Sequence, residues 1–355
     1  MAKYDIPFAK MSITDEERKN VLVTLNSGWL TRGIKCKEFE EKFAEYVGAK
    51  YAVAVNSCTS ALFLCLKYWQ EAKKLNLKKI AVPSFTFTAS ASVIKHCGMD
   101  VVFKDVTEET YCLNPKQDFT DCGGVITVHL TGNKAPTNLG RDIEIEDSAH
   151  RILRNTQGDN PVCYSFYATK NLSTGEGGMI TTNDADMASW LKLAMLHGSN
   201  KDGFARYANK ASWKYSIEFC GWKMNMTDMA AAIGLAQLKR LDEMNEWRQK
   251  WISLYNDNLG YKNTGLHLYP IFVKDRDEFM DYMVNVCGIH CSCHFLALHH
   301  MPAYQECSNT WLPVTDRLSE TEVSLPLYPN LNEAEVNYII DCALKSNKLI
   351  PWEER

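Results

Sequence analysis

The sequence predicts an α/β protein in which helices cover a mostly parallel sheet. Short apolar runs recur along the first half of the chain, among them YAVAV, KIAVPSF, MDVVFKDV and GGVITVHL. Helical patterns separate many of these runs, as the crossovers of a parallel sheet require. The chain has 355 residues, of which 46% are apolar and 23% charged. That is enough to bury a substantial core and to form about two units, or one large α/β domain with a smaller companion.

The elements follow in order. Residues 13–25 read as a helix stopped by Asn26-Ser27-Gly28. The segment KEFEEKFAEYVG places Phe39, Phe43, Tyr46 and Val47 on one helical face and ends at Gly48. The strand YAVAV comes next, and Asn56-Ser57 then opens a helix over CTSALFLCLKYW. A strand (KIAVPSF), a helix (TASASVIKHCG) and a strand (MDVVFKDV) continue the alternation, and GGVITVHL, IEIED, VCYSFYA and GGMITTND read as further strands. From Asp228 one long helical pattern runs to NDNL, long enough to carry the chain from a large domain into a smaller one. LHLYPIFV, a helix near DEFMDYMVNVCG, IHCSCHF and NEAEVNYIIDCALK then read as an α+β unit. The boundary falls near residue 245, giving a large domain over 1–245 and a small one over 246–355.

Lys and Arg number 39 against 43 Asp and Glu, a formal charge of −4, so nucleic acid is not an expected partner. No window reaches the roughly 18 uninterrupted apolar residues of a membrane span, and MAKYDIPFAK carries no apolar leader. The thirteen cysteines are odd in number and mostly lie inside apolar runs, as Cys65 and Cys163 do. They read as reduced, buried thiols, and a cytoplasmic location is expected. Cys291, Cys293, His294, His299 and His300 suggest zinc, yet no second well-spaced ligand pair accompanies them, so no metal is expected.

Three segments place small or polar residues directly after a strand, where the ligand crevice of an open α/β sheet lies. Asn56-Ser57-Cys58-Thr59-Ser60 stands at a helix N-terminus, suited to a phosphate and equally to simple N-capping. In IEIEDSAH a strand delivers Asp147 beside a small-residue turn, where an acid needs a cationic or hydrogen-bonding partner or itself caps a helix. In SFYATKNLSTGEGG a strand ends in Lys170 and a glycine-rich loop. A desolvated lysine there becomes a usable amine nucleophile, although surface lysines are far commoner. Phosphate cradle, acid and amine together describe a pyridoxal phosphate site.

The ordered motifs GWLTRGIKCKEFEEKFAEYVGAKYAVAVNSCTSAL, VPSFTFTAS, VHLTGN, EDSAH, SFYATKNLSTGEGG, GWKMNMTDMAAAIGLAQL and VSLPLYP span most of the chain. They resemble the DegT/StrS sugar-nucleotide aminotransferases, pyridoxal-phosphate enzymes of fold type I. The resemblance implies a large domain on a seven-stranded, mostly parallel sheet and a smaller α+β domain. It implies that Lys170 holds the cofactor as a Schiff base and shuttles a proton, and that Asp147 pairs with the ring nitrogen. Thr59, Ser165 and the backbone around Cys58 would bind the phosphate, and Phe87 would stack on the ring, though its alternating context also suits a half-buried segment. Cys58 stands where Gly or Ala is frequent in the family.

The resemblance also implies a homodimer with shared active sites, in which Asn225 or Lys223 reaches the neighbouring subunit's phosphate; Asn225 equally suits a helix cap. Trp29 and Thr31 fall in a stretch that borders the substrate, and Trp29 equally suits a core position. His294 and His299 fall near the substrate pocket or in a solvated loop. The implied reaction moves an amino group from L-glutamate to a dTDP- or UDP-linked keto-6-deoxyhexose. Lysine at position 170 argues against the branch that dehydrates sugars; a cyclitol aminotransferase and a non-catalytic cofactor-binding relative are the other readings.

Overall fold

The computed structural model describes residues 3–201, 204 and 214–354. Helix α1 (Asp15–Asn26) starts at a capping box formed by Thr14 and Glu17. Helix α2 (Ile34–Val47) begins earlier than its local pattern suggests and ends at Gly48 in the left-handed conformation. Its cap comes from far along the chain. The Asp228 carboxylate accepts the N–H groups of Gly33 at 2.7 Å, Cys36 at 3.0 Å and Lys35 at 3.1 Å.

The large sheet comprises β1 (Tyr51–Val55), β2 (Lys79–Pro83), β3 (Asp100–Lys104), β4 (Gly124–Val128), β5 (Glu144–Asp147), β6 (Val162–Ser165) and β7 (Gly178–Thr182). Their order is β1-β7-β6-β5-β4-β2-β3. Strand β7 runs antiparallel to both neighbours and the remaining pairings are parallel. This is the expected α/β class with a seven-stranded, mostly parallel sheet. Side-chain alternation separates the faces. Val53 and Val55 pack with the apolar side chains of α3 (Cys58–Lys67) and α4 (Ala89–His96). Ala52 and Ala54 face Phe39 and Phe43 of α2 instead. Residues 133–143 and 148–161 carry neither helix nor strand.

Helix α5 (Ala185–Ala194), which the sequence reading passed over, is capped by Asp184 and buries Met187, Ala188 and Leu191. The long pattern from Asp228 divides into α6 (Asp228–Lys239) and α7 (Leu241–Leu259). The bend lies at Arg240, whose guanidinium is held by Ser12 O at 3.1 Å and the Glu17 carboxylate at 2.7 Å. Residue 245 therefore falls inside α7. Asn245 bonds back to Ile152 O, whereas Tyr255 Oη donates to Pro326 O at 2.9 Å.

A two-stranded antiparallel sheet, β8 (Tyr269–Phe272) with β9 (Glu322–Leu325), follows. It packs with α8 (Arg276–Asp281), α9 (Pro313–Thr321) and α10 (Glu333–Lys345) around Trp251, Tyr255, Ile271, Phe272 and Ile339. IHCSCHF forms only isolated bridges, Ile289 to Ile6 and Ser292 to Ser324. No described helix is long and apolar enough to cross a membrane.

Candidate active site

Strand register brings one edge of the large sheet to a common line. Gly178 stands opposite Val55 on one side and Ser165 on the other, and Asp147 stands opposite Val128. Segments leaving this edge line a cavity of about 510 Å3, within the range of small-molecule sites. Cys58, Thr59, Phe87, Asp147, Ser165, Lys170 and His294, all singled out from the sequence, lie on its wall.

Asp147 ends β5 and is only 4% exposed. A buried carboxylate needs partners. Its Oδ2 accepts Ser90 Oγ–H at 2.7 Å, and its Oδ1 accepts Ala149 N–H at 3.1 Å and faces Cys58 Sγ at 3.7 Å. Lys170 sits in the loop after β6, with its N–H donating to Tyr167 O at 2.9 Å. Burial pushes the lysine down to about 8, against the opposing pull of Asp147 and Cys58. The next residue is clamped. Asn171 Oδ1 meets His267 Nδ1 at 2.8 Å, and Asn171 Nδ2 reaches Leu266 O at 3.2 Å and Asn245 Oδ1 at 3.3 Å.

At the opposite end Ser57 caps α3 by accepting the Ser60 N–H at 3.1 Å. Among the described residues no acceptor meets the Cys58 and Thr59 amides, which leaves donors and the helix dipole for an anion. Gly178 makes the close approach possible. A Cβ there would lie 2.4 Å from Ser57 C and 2.7 Å from Cys58 N. Gly175 turns the lysine loop at φ +84°.

The family model for the DegT/DnrJ/EryC1/StrS aminotransferases matches residues 11–344. The chain belongs to this family. It is 35% identical to the spore coat polysaccharide biosynthesis protein SpsC of Bacillus subtilis over 95% of both chains. It is 32% identical to the uncharacterized protein MJ1066 of Methanocaldococcus jannaschii over 96% of this chain and 97% of that one. Among solved structures it superposes on the putative sugar aminotransferase Spr1654 of Streptococcus pneumoniae in its PMP form. The TM-score is 0.85 at 27% identity, covering 96% of this chain and 98% of that one.

The family is pyridoxal-phosphate-dependent, and Spr1654 is solved in PLP and PMP forms. The residues here suit that cofactor: unpaired helix-terminal amides for a phosphate, a buried carboxylate for a pyridinium, and a lysine whose proton affinity is already reduced.

Other candidates from the sequence lie outside the cavity of this single chain. Asn225 is buried beside β1, pairs with Val55, and accepts from Lys223 Nζ through its Oδ1. Trp29 Nε1 donates to Arg32 O at 3.1 Å, and Thr31 O accepts the Asp228 N–H at 3.2 Å. His299 is neither a cavity residue nor part of a solvated loop. It is 0% exposed, with Nδ1 at 2.8 Å from Ser84 Oγ and Nε2 at 3.1 Å from Asp316 Oδ1, so it braces α9 against the segment after β2. His299, His300 and Asp316 form a compact group, accounted for by these contacts and the 2.8 Å contact of His300 Nε2 to the same carboxylate.

The cavity also contains residues to which the sequence reading gave no part. His150 is buried, accepts Thr131 N–H at Nδ1 (3.3 Å), and packs on His267 with ring centroids 4.3 Å apart. Burial holds it well below the usual histidine range, so the ring is neutral and carries its proton on Nε2. Its place in EDSAH, three residues after Asp147, was the available signal. Phe295 is a second, its ring 5.8 Å from that of Phe87, which is 57% exposed. Nothing in the spacing announces that pair.

Proposed function

We propose that this enzyme transfers an amino group from L-glutamate to a nucleotide-linked keto-sugar, a dTDP- or UDP-keto-6-deoxyhexose. The observation that carries the reading is the Lys170 amine and the Asp147 carboxylate set in one cavity at the carboxyl edge of the sheet. When bound, pyridoxal phosphate supplies an aldehyde for an amine and a conjugated ring that takes up electron density.

Lys170 Nζ is the amine that would hold the cofactor. Its lowered proton affinity keeps a usable fraction of free amine near neutral pH. Where it is free, the same Nζ is the base that would take and return a proton at the substrate carbon. Asp147, oriented by Ser90 and the Ala149 amide, is the carboxylate that would hold the ring nitrogen. Thr59, Ser165 and the amides of Cys58 and Thr59 would bind the phosphate, and Phe87 would lie against the ring. A partner copy completes the site through Asn225 or Lys223, with Trp29 and Thr31 bordering the substrate. The exposed Leu22 and Val23 of α1, Leu30 in the turn after it and Ile34 of α2 support such a partner. The expected compartment is the cytoplasm.

The test is turnover with glutamate and a panel of dTDP- and UDP-linked keto-sugars, with keto-cyclitols alongside. Lys170→Ala is expected to abolish 2-oxoglutarate release. Undiminished transamination by that variant would refute the assignment.

A further inference from the structure

Glu322, the first residue of β9, is 1% exposed, an unusual setting for a carboxylate. Its Oε2 accepts the His294 N–H at 2.6 Å, and its Oε1 accepts the Ser324 Oγ–H at 2.5 Å. Ser324, 0% exposed, in turn stands 3.0 Å from His294 Nδ1. The ring of His294 is stacked on Phe8 at 5.1 Å and set edge-on to Phe295 at 5.0 Å, and it borders the cavity that contains Lys170. Three residues from separate strand and loop segments thus form a chain from a buried carboxylate to the cavity wall.

The chain has a polarity. An ionised Glu322 accepts only, so the one hydroxyl proton of Ser324 points at Oε1. Ser324 Oγ is then left to accept, and the proton of a neutral His294 must sit on Nδ1. Burial pushes His294 down to about 3, so it stays neutral in the working range. Its Nε2 therefore offers a lone pair and no charge. Such a group rejects an anion, and its natural ligand is a hydroxyl donor. Phe295 beside it supplies an apolar surface on which the C–H face of a sugar ring lies.

We propose that Glu322, acting through Ser324, is a positioning residue that fixes His294 as a hydrogen-bond acceptor for a hydroxyl of the sugar substrate. This rests on the functional reading above. The groups facing Glu322 are Arg276 from α8 and Cys291, Cys293 and His294 from the preceding loop. Burial raises Glu322 to about 7, so the test belongs at pH 8, where the carboxylate is ionised.

Two-bond proton–nitrogen correlation spectra of 15N-histidine-labelled holoenzyme report the tautomer directly, with the His294 signals assigned by their loss in His294→Phe. The wild type is expected to show the proton on Nδ1. In Glu322→Gln the amide N–H donates to Ser324, whose hydroxyl then turns to Nδ1 and moves the ring proton to Nε2. Ser324→Ala, a smaller change, is expected to mix the two forms. In the same variants the KM for dTDP-4-keto-6-deoxyglucose, or its UDP counterpart if that is the better substrate, rises about tenfold while kcat stays within about twofold. One singly deoxygenated analogue should bind wild type no better than it binds Glu322→Gln.

A wild-type proton on Nε2, or an unchanged tautomer and KM in Glu322→Gln, overturns the relay. Failure of the wild type to aminate any keto-sugar of the dTDP- and UDP-linked panel overturns the functional reading, and with it the hydroxyl ligand, whatever the tautomer.

Discussion

Lys170 is expected to lose its proton at about 8 in the folded protein, against the 10.5 of an ordinary lysine. Between these values the unfolded chain binds more protons than the folded one, so stability of the cofactor-free protein rises with pH across that window. The burial cost is fully present below pH 8, at about 3 kcal/mol, and is gone above the unfolded value. Reconstitution reads the same titration. The rate of pyridoxal phosphate uptake by the apoprotein, followed by absorbance, should rise about tenfold per pH unit below 8 and level off above it. A rate that is flat from pH 6 to 9 would contradict a depressed lysine. Lys170 and Asp147 were legible as residues because Asp147 closes an apolar strand and Lys170 opens the glycine-rich loop that follows another. Ser90 was not singled out, since its bond to Asp147 crosses 57 residues and leaves no trace in spacing.

Strands and helices were read well where their signals are local. YAVAV matches β1 residue for residue, and Gly48 ends α2 through its own left-handed backbone. Errors arose where a distant group sets the boundary. The start of α2 is fixed by Asp228, and the break before α7 by contacts of Arg240 with Ser12 and Glu17. Asp228→Ala should accordingly strip three N–H groups of their acceptor and cost about 2–4 kcal/mol, measured by urea unfolding. Gly178→Ala tests a second contact between elements. Its added methyl must displace the backbone of Ser57 and Cys58 from β7, with a loss of about 1–3 kcal/mol and weaker cofactor binding by equilibrium dialysis. If cofactor affinity survives a lowered unfolding midpoint, the N-terminus of α3 is not part of the phosphate site.

At the scale of the whole molecule, the cavity gathers Asp147 from the end of β5, Lys170 from the loop after β6, and His294 and Phe295 from the segment bridged to β9 at Ser292. That meeting could not be read from spacing, because more than a hundred residues separate the contributions. The same holds for Asn225, Trp29 and Thr31, which do not line the cavity in one chain; the role proposed for Asn225 is in a partner copy's site. Mixing inactive Lys170→Ala and Asn225→Ala subunits provides the test. Shared sites predict regained activity, because one site of each hybrid dimer then has both residues intact, whereas self-contained sites predict none.

The reversed direction of β7 has one more outcome. Because it returns beside β6, the segment bearing Lys170 is closed between Ser165 and its partner Gly178, a hairpin in place of a long crossover. Closing so short a segment forfeits little chain entropy and belongs to the microsecond class of folding events. Strand β1, which leads into Cys58, instead pairs antiparallel with β7 across more than a hundred residues, and such a distant pairing forms slowly. Newly made chains thus organise the reactive amine from neighbouring sequence, and capture of the vitamin waits for the rest of the sheet.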